Sequence, residues 1–249
     1  MLPLKELVIG YHPLIEAIKS GITFRKVYIQ SDKKNDSIRD LVIELRKANI
    51  PFQMVPREKL FSISNGNHQG IIGLRSPIEF IDLEALIPTL FENNQVPLIV
   101  LLDNVTDTRN FGAILRSAEF FGVHCVVIPM KHTADLNEFT IKSSSGALLK
   151  MNIARANTLT ETISFLKSSG IQVIGASERS KESIHQADLE LPTAIIMGSE
   201  DEGISASIVK DVDKFYKIER SGTIESLNVS SAAAVFFYEV QRQRSFTNK

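Results

Sequence analysis

Three polar stretches gather the side chains able to do chemistry: "DNVTDTRNFGAILRSAEFFG" from Asp103, "GSEDEGIS" from Gly198 and "SLNVSSAAAVFF" from Ser226. The first offers two cations, Arg109 and Arg116, seven residues apart and therefore on one side of any helix that includes both. They read either as solvated arginines on a surface helix or as a pair that clamps a phosphate, which a guanidinium fork grips at two oxygens. The second stretch sets Glu200, Asp201 and Glu202 between Gly198 and Gly203. Like charges at close range make a poor phosphate cradle, whereas glycines allow close backbone approach. This loop is either a solvated acidic turn or the lip of a site for a neutral or locally cationic ligand. In the third stretch Asn228 and Ser230 are good helix caps, and Ala232, Ala233 and Ala234 let another backbone come near.

Strands must position these loops. From Val96 onward the runs "VPLIVLLD", "HCVVIP", "IQVIGAS", "TAIIMG" and "FYKIE" are continuously apolar, as strands buried on both faces are. Between them lie the helical segments "NFGAILRSAEFFG", "EFTIKSSSGALLK" and "LTETISFLKSSG". Alternation of strands and helices predicts a mostly parallel α/β sheet, with ligands outside the carboxyl ends of its strands. All three polar stretches fall near that edge. In the first helix Phe111, Ile114, Leu115, Ala118 and Phe121 share a face expected in the core, and Arg116 falls off it. A dinucleotide glycine fingerprint, a phosphate loop ending in Gly-Lys-Ser/Thr and a His-Glu-x-x-His pair are all missing, which argues against a nucleotide-dependent oxidoreductase.

Residues 1–75 form a second α/β unit on the same grounds. "HPLIEAIKSG" is a short helix, "KVYIQ" a strand, "SIRDLVIELRKANI" an amphipathic helix, "PFQMV" a strand, "REKLFSIS" a helix and "GIIGLRS" a strand. Residues 76–95, with four acids and no basic residue, read as an acidic connector, and 96–249 as the larger domain. The net charge of -1 is uneven: residues 1–75 carry 12 Lys+Arg against 7 Asp+Glu. Such asymmetry points to a polyanion partner for the basic half, with Lys33, Lys34, Arg46 and Lys47 as candidate contacts. Cys125 is the only cysteine, so no internal disulfide or multi-thiolate zinc site is expected. The opening residues lack the apolar core of a signal peptide, and "VPLIVLL" is too short to span a bilayer; a cytoplasmic protein is expected.

The motifs "LLDNVTDTRNFGAILRSAEFFGV", "IIMGSEDEGIS" and "IESLNVSSAAAVFFYEVQRQR", in this order and spacing, resemble those of the SpoU (TrmH) RNA ribose 2′-O-methyltransferases. With "GYHP" early and "NHQGI" late, residues 1–75 resemble the ribosomal-protein-like substrate-binding domain of that family. The branch most resembled methylates a guanosine in 23S ribosomal RNA. Thr108 departs from the proline usual before the Arg-Asn pair. The resemblance implies a SPOUT-type α/β fold tied in a trefoil knot, a homodimer, and S-adenosylmethionine as cofactor, with no metal. It implies Arg116, Asn110, Glu200, Ser226 and Asn228 as catalytic residues and Arg109 as an RNA contact. Met197, Gly198, Gly203, Ile218 and Leu227 would bind the cofactor. The alternatives are a transfer RNA substrate, or an RNA-binding protein that kept the fold and lost catalysis.

Overall fold

The computed structural model describes residues 6–33 and 36–246. The chain divides into two compact units, the first ending at Glu79 and the second beginning at Phe80.

The first unit is built on strands β1 (Leu7–Ile9), β2 (Phe24–Gln30), β3 (Phe52–Val55) and β4 (Ile71–Arg75). They lie in the order β1-β4-β2-β3, with β2 and β3 parallel and the other pairs antiparallel. Helices α1 (Tyr11–Lys19) and α2 (Asp36–Lys47) bury Leu14, Leu41 and Leu45 against Phe24, Val27 and Ile29. Helix α3 (Arg57–Ile63) buries Leu60 and Ile63 against Ile72 and Leu74 on the other face. Ile71 serves the first cluster and Ile72 the second, as the two-residue period of a strand requires. Sequence pattern misses β1, three residues whose place is set only by pairing with β4.

In the second unit six strands pair in parallel throughout: β5 (Leu98–Leu102), β6 (Cys125–Pro129), β7 (Ile153–Ala156), β8 (Gln172–Ala176), β9 (Thr193–Met197) and β10 (Lys214–Tyr216). Their order is β10-β8-β9-β5-β6-β7. Helix α4 (Leu83–Glu92) and α7 (Leu159–Ser168) cover one face, with Ile87, Leu90, Ile163 and Leu166 against Ile99, Leu101 and Ile196. The intervening strand residues Val100, Leu102 and Ile195 are equally buried, so the sheet is covered on both sides. Helices α5 (Thr108–Phe120) and α9 (Val229–Phe246) pack on each other. Helix α6 (Glu138–Ser143) follows β6, and the short α8 (Ala206–Val209) precedes β10.

Several expectations change. Residues 80–95 are not a free connector: Ile81 bridges Ala154, and Ile87 and Leu90 are core. Their acids face solvent while the apolar residues between them supply the core. Past Ser143 the segment "SSGALLK" does not continue α6, because Ser145 and Gly146 take left-handed φ of 51° and 85° and the chain restarts as a single 3₁₀ turn at Ala147–Leu149. Strand β7 escapes sequence reading because "IARA" is short and interrupted by Arg155, whose guanidinium stacks over Phe80 at 3.7 Å. Phe121, expected in the core, is half-buried and meets Phe120 and Tyr238 edge-on at 5.0 and 6.3 Å.

Candidate active site

The carboxyl ends of β8, β9 and β10 open onto one cavity of about 910 Å³. Parallel strands bring loops to this edge together, which is where such sheets take ligands. Its wall runs from Ala176 to Arg179 after β8, from Met197 to Glu200 after β9, and from Tyr216 to Arg220 and Gly222 to Leu227 after β10. Met197, Gly198, Gly203, Ile218 and Leu227, named above for the cofactor, all line it, as do Glu200 and Ser226. Sequence reading missed the contribution of β8, Ser177 to Arg179, although the strand-end rule alone points there.

Close backbone approach explains the glycines. Ser199 and Gly203 exchange two backbone hydrogen bonds of 3.1 Å, closing the acidic loop on itself. A Cβ on Gly198 would collide with the Gly203 carbonyl group and the Ile204 nitrogen. Gly203 itself has φ 72°, a left-handed conformation that glycine adopts without strain. The far end of the loop is tied to β5: the Ser205 N–H donates to Asp103 Oδ2 at 2.6 Å, and Asn104 Nδ2 donates to Ser205 Oγ at 3.0 Å. Asp103 is buried, so this bond anchors the loop rather than a solvated side chain.

Asn228 joins the three polar stretches. Its Oδ1 accepts from the Ser230 N–H at 2.9 Å and the Ser230 hydroxyl at 2.6 Å, capping α9. That use of the oxygen turns Nδ2 toward acceptors. Nδ2 donates to Asn110 Oδ1 at 3.0 Å and to Glu200 Oε1. The Val229 N–H adds a longer bond of 3.4 Å to the same carboxylate oxygen. Asn110 is placed by Asp107, whose carboxylate caps α5 by accepting from the Asn110 and Arg109 N–H groups at 2.9 and 2.8 Å. The same two bonds, Asn110 first, hold the Asp107 carboxyl below the usual range. Thr108 stands at the first position of α5. Proline is favoured there because its missing N–H is not needed, but the Asp107 cap makes the start secure without it.

Arg116 stands apart from this cluster. It is exposed in the middle of α5, has no hydrogen bond or ion pair among the described residues, and borders a separate cavity of about 290 Å³ with Ser144, Ser145 and Lys150. Arg109 lies on the same helix, exposed, with Asp107 Oδ2 at 3.6 Å. In the first unit Lys33 donates to the Gln69 carbonyl at 2.8 Å, Lys47 pairs with Glu44 at 2.9 Å, and Arg46 is exposed. Lys34 lies outside the described residues. Cys125 is fully buried and its thiol is pushed up to about 12 by burial, so it is no nucleophile.

Comparison with known proteins agrees in both units. The SpoU rRNA Methylase family matches residues 97–238, and the family described as RNA 2′-O ribose methyltransferase substrate binding matches residues 7–80. A Staphylococcus haemolyticus protein named for the TrmH family of tRNA/rRNA methyltransferases is 34% identical over 238 residues, covering 96% of each chain. Its Bacillus subtilis counterpart is 31% identical over 240 residues, again 96% of each chain. Among solved structures, the SpoU methyltransferase AviRb from Streptomyces viridochromogenes, in complex with AdoMet, is 25% identical with a TM-score of 0.62, covering 96% of this chain and 90% of that one.

The cavity suits S-adenosylmethionine. That molecule carries a sulfonium and an ammonium but no phosphate, and Glu178, Glu200, Glu219 and Glu225 stand on the wall. Of the three cations on the same wall, Arg179 and Lys217 are drawn to Glu178 and Glu219, at 3.5 and 3.3 Å, and Arg220 donates to the Ile224 carbonyl at 3.1 Å. Met197, Ile218, Leu227 and Phe236 supply an apolar surface for a flat ring. A backbone that leaves no room for a Cβ at Gly198, acids on the wall of the cavity, and two family matches that together cover most of the chain lead to one conclusion: this protein belongs to the SpoU (TrmH) family of RNA methyltransferases, with S-adenosylmethionine as its cofactor.

Proposed function

We propose that the protein methylates a ribose 2′-hydroxyl, that of a guanosine in 23S ribosomal RNA. The observation that carries the proposal is the Asn110–Asn228–Glu200 cluster at the rim of a cavity fitted to the methyl donor. S-adenosylmethionine supplies the electrophilic methyl group when bound. The chain holds it by backbone at Gly198, Ile218 and Leu227, with Met197 and Gly203 completing the wall. Asn110, Asn228 and Ser226 orient the ribose, and Glu200, fixed through Oε1, presents its other oxygen to a hydroxyl proton. Alignment of this kind is the protein's main contribution to an in-line displacement.

Arg116 is a clamp on the phosphate beside the acceptor and a stabiliser of developing alkoxide charge, not a base, because a guanidinium pKa lies above ~12. Its distance from the cluster is resolved by a homodimer. Phe120, one helical turn after Arg116, is 77% exposed, and Tyr238 and Val235 of α9 are exposed as well. An apolar face of this kind marks an interaction surface. Pairing of two copies through α5 and α9 carries Arg116 into the interface. The same reading ties the end of the chain in a trefoil knot. The reading also places the protein in the cytoplasm; among the described residues no helix is long and apolar enough to cross a membrane.

The test is methyl transfer from tritiated S-adenosylmethionine to total RNA of cells lacking the protein, followed by mapping of the label. Label on one large-subunit guanosine ribose is the expected result. Label on transfer RNA instead would select the other substrate that the curated relatives' names allow. Cofactor binding without transfer to any RNA would leave an RNA-binding protein that has lost catalysis.

A further inference from the structure

The topology of the first unit brings the ends of β1, β2 and β3 and the start of β4 to one edge of its sheet. The loop "GNHQG", residues 66–70, is the centre of that edge. The Gly70 N–H donates to His68 Nδ1 at 3.0 Å, so the neutral ring carries its proton on Nε2. That Nε2 is sealed from solvent and has no hydrogen-bond partner, on a residue only 5% exposed. Desolvation, then the charges of Arg57 and Lys33, holds the His68 pKa below its ordinary value. The loop turns through two left-handed residues, Gln69 at φ 49°, which strains a side-chain-bearing residue, and Gly70 at φ 85°, which glycine adopts freely. Lys33 closes over it, with Nζ on the Gln69 carbonyl at 2.8 Å. On the other side the Phe61 ring stands edge-on to His68 at 4.8 Å and is 40% exposed. The guanidinium of Arg57 lies 5.1 Å from the Phe61 ring centre.

We propose that this edge is the unit's binding site for single-stranded RNA, with Phe61 and Arg57 as the platform on which a base stacks and Lys33 and Arg57 as phosphate contacts. The proposal rests on the RNA-methylation reading and names the surface that reading lacks. Unpaired RNA is recognised by stacking bases on aromatic rings and guanidinium planes, and its backbone by nearby cations. An aromatic ring already layered with an arginine beside a strained glycine loop supplies both. Charge also favours this edge over the outer face of α2. There Arg39 is paired with Asp36 at 3.2 Å and Lys47 with Glu44 at 2.9 Å, which leaves Arg46 as the α2 cation without a carboxylate partner among the described residues; Arg25 of β2 is held by Glu6 at 3.5 Å with its side chain 9% exposed. Lys33 and Arg57 have no carboxylate partner among the described residues. Asp32, next to Lys33, is occupied by the Gln30 amide at 2.8 Å, and Glu58, next to Arg57, is exposed and makes no ion pair with it. His68 is a positioning residue, fixing the loop and the edge of Phe61.

The experiment uses the full-length protein and a fluorescent mixed-sequence RNA of about 12 nucleotides, single-stranded and as a duplex, over about 50–200 mM salt. Phe61→Ala should weaken single-strand binding by about 5- to 150-fold, the range of one lost base stack, and leave the salt slope unchanged. Phe61→Tyr should restore it. Lys33→Gln with Arg57→Gln should flatten the log–log slope by roughly 0.7 per contact. Arg46→Gln with Lys47→Gln removes cations of the competing α2 surface and should cost less in both quantities than the Lys33, Arg57 variant. Amide-exchange protection of β2 and β4 reports that the first unit of each variant is folded, and cofactor affinity that the second is. Unchanged binding by Phe61→Ala, or an equal loss on the duplex, overturns the stacking site. Loss confined to the Arg46, Lys47 variant places the site on α2 and overturns it too. If the wild type transfers methyl to ribosomal RNA and these variants are neutral, only this inference falls; if the wild type neither binds nor methylates RNA, the functional reading falls with it.

Discussion

Asn228 caps α9 through its oxygen and holds Glu200 and Asn110 through its nitrogen, so a substitution that keeps one role and spoils the other separates them. Asn228→Asp keeps the cap, since Asp serves as well as Asn at that position. It also sets a second carboxylate against Glu200, and two carboxylates that close resist ionising together. The variant should lose methyl transfer. Its stability deficit should grow as pH rises through the carboxylate range, because the repulsion is present only when both are charged. Unfolding curves taken between about pH 4 and pH 8 show this; a deficit that is flat with pH would mean that the two side chains part without cost. Arg116→Ala should lower transfer by ~10²–10³ with cofactor affinity nearly intact, since the residue is exposed and lies outside the cofactor cavity. Arg116→Lys should restore it only in part, because an ammonium lacks the planar fork. Turnover within a few-fold of wild type in Arg116→Ala would remove the residue from the mechanism.

Elements act on the site through their ends. Strand β9 delivers Gly198 and Glu200, α5 delivers Asn110, and α9 starts at the residue after Asn228. Helix α4 supplies no residue to the cavity wall, yet it belongs to the core that β9 shares. A fragment spanning 80–249 should therefore fold and bind S-adenosylmethionine, whereas 96–249, which discards Ile81, Ile87 and Leu90, should be markedly less stable. Calorimetric titration and thermal unfolding of the two fragments compare them directly. Within the whole chain, Ile87→Ala should cost about 2–5 kcal/mol, the range for emptying a buried aliphatic site. Equal stability of the two fragments would return residues 80–95 to the status of a connector.

At the scale of the whole molecule the proposal requires two copies. Phe120→Asp puts a charge on the exposed last residue of α5 without touching the buried face formed by Phe111, Ile114, Leu115 and Ala118. It should yield a monomer in sedimentation at micromolar concentration that still binds cofactor and has lost methyl transfer. A dimer unaffected by Phe120→Asp, or a fully active monomer, would contradict both the interface and the argument that brings Arg116 to the site.

By itself the sequence determined the parallel sheet, the burial of its strands and the three polar loops at one edge, because continuous apolar runs and strand–helix alternation are local patterns with one economical solution. It also determined that Phe111, Ile114, Leu115 and Ala118 face inward while Arg116 does not, since a helical period fixes relative angle. Tertiary structure alone decided which loops share a cavity. Pairing order places β8 between β9 and β10, and so adds Ser177 to Arg179 to a wall that no spacing in the chain reveals. It also decided the bonds of Asn228, whose partners Glu200 and Asn110 lie 28 and 118 residues away. The membership of α4 in the core and the pairing of β1 were illegible for the same reason. Leu83, Leu86, Ile87 and Leu90 mark α4 as an amphipathic helix behind its Asp82 cap but not which surface it covers, and a three-residue strand has no place without the strand it pairs with.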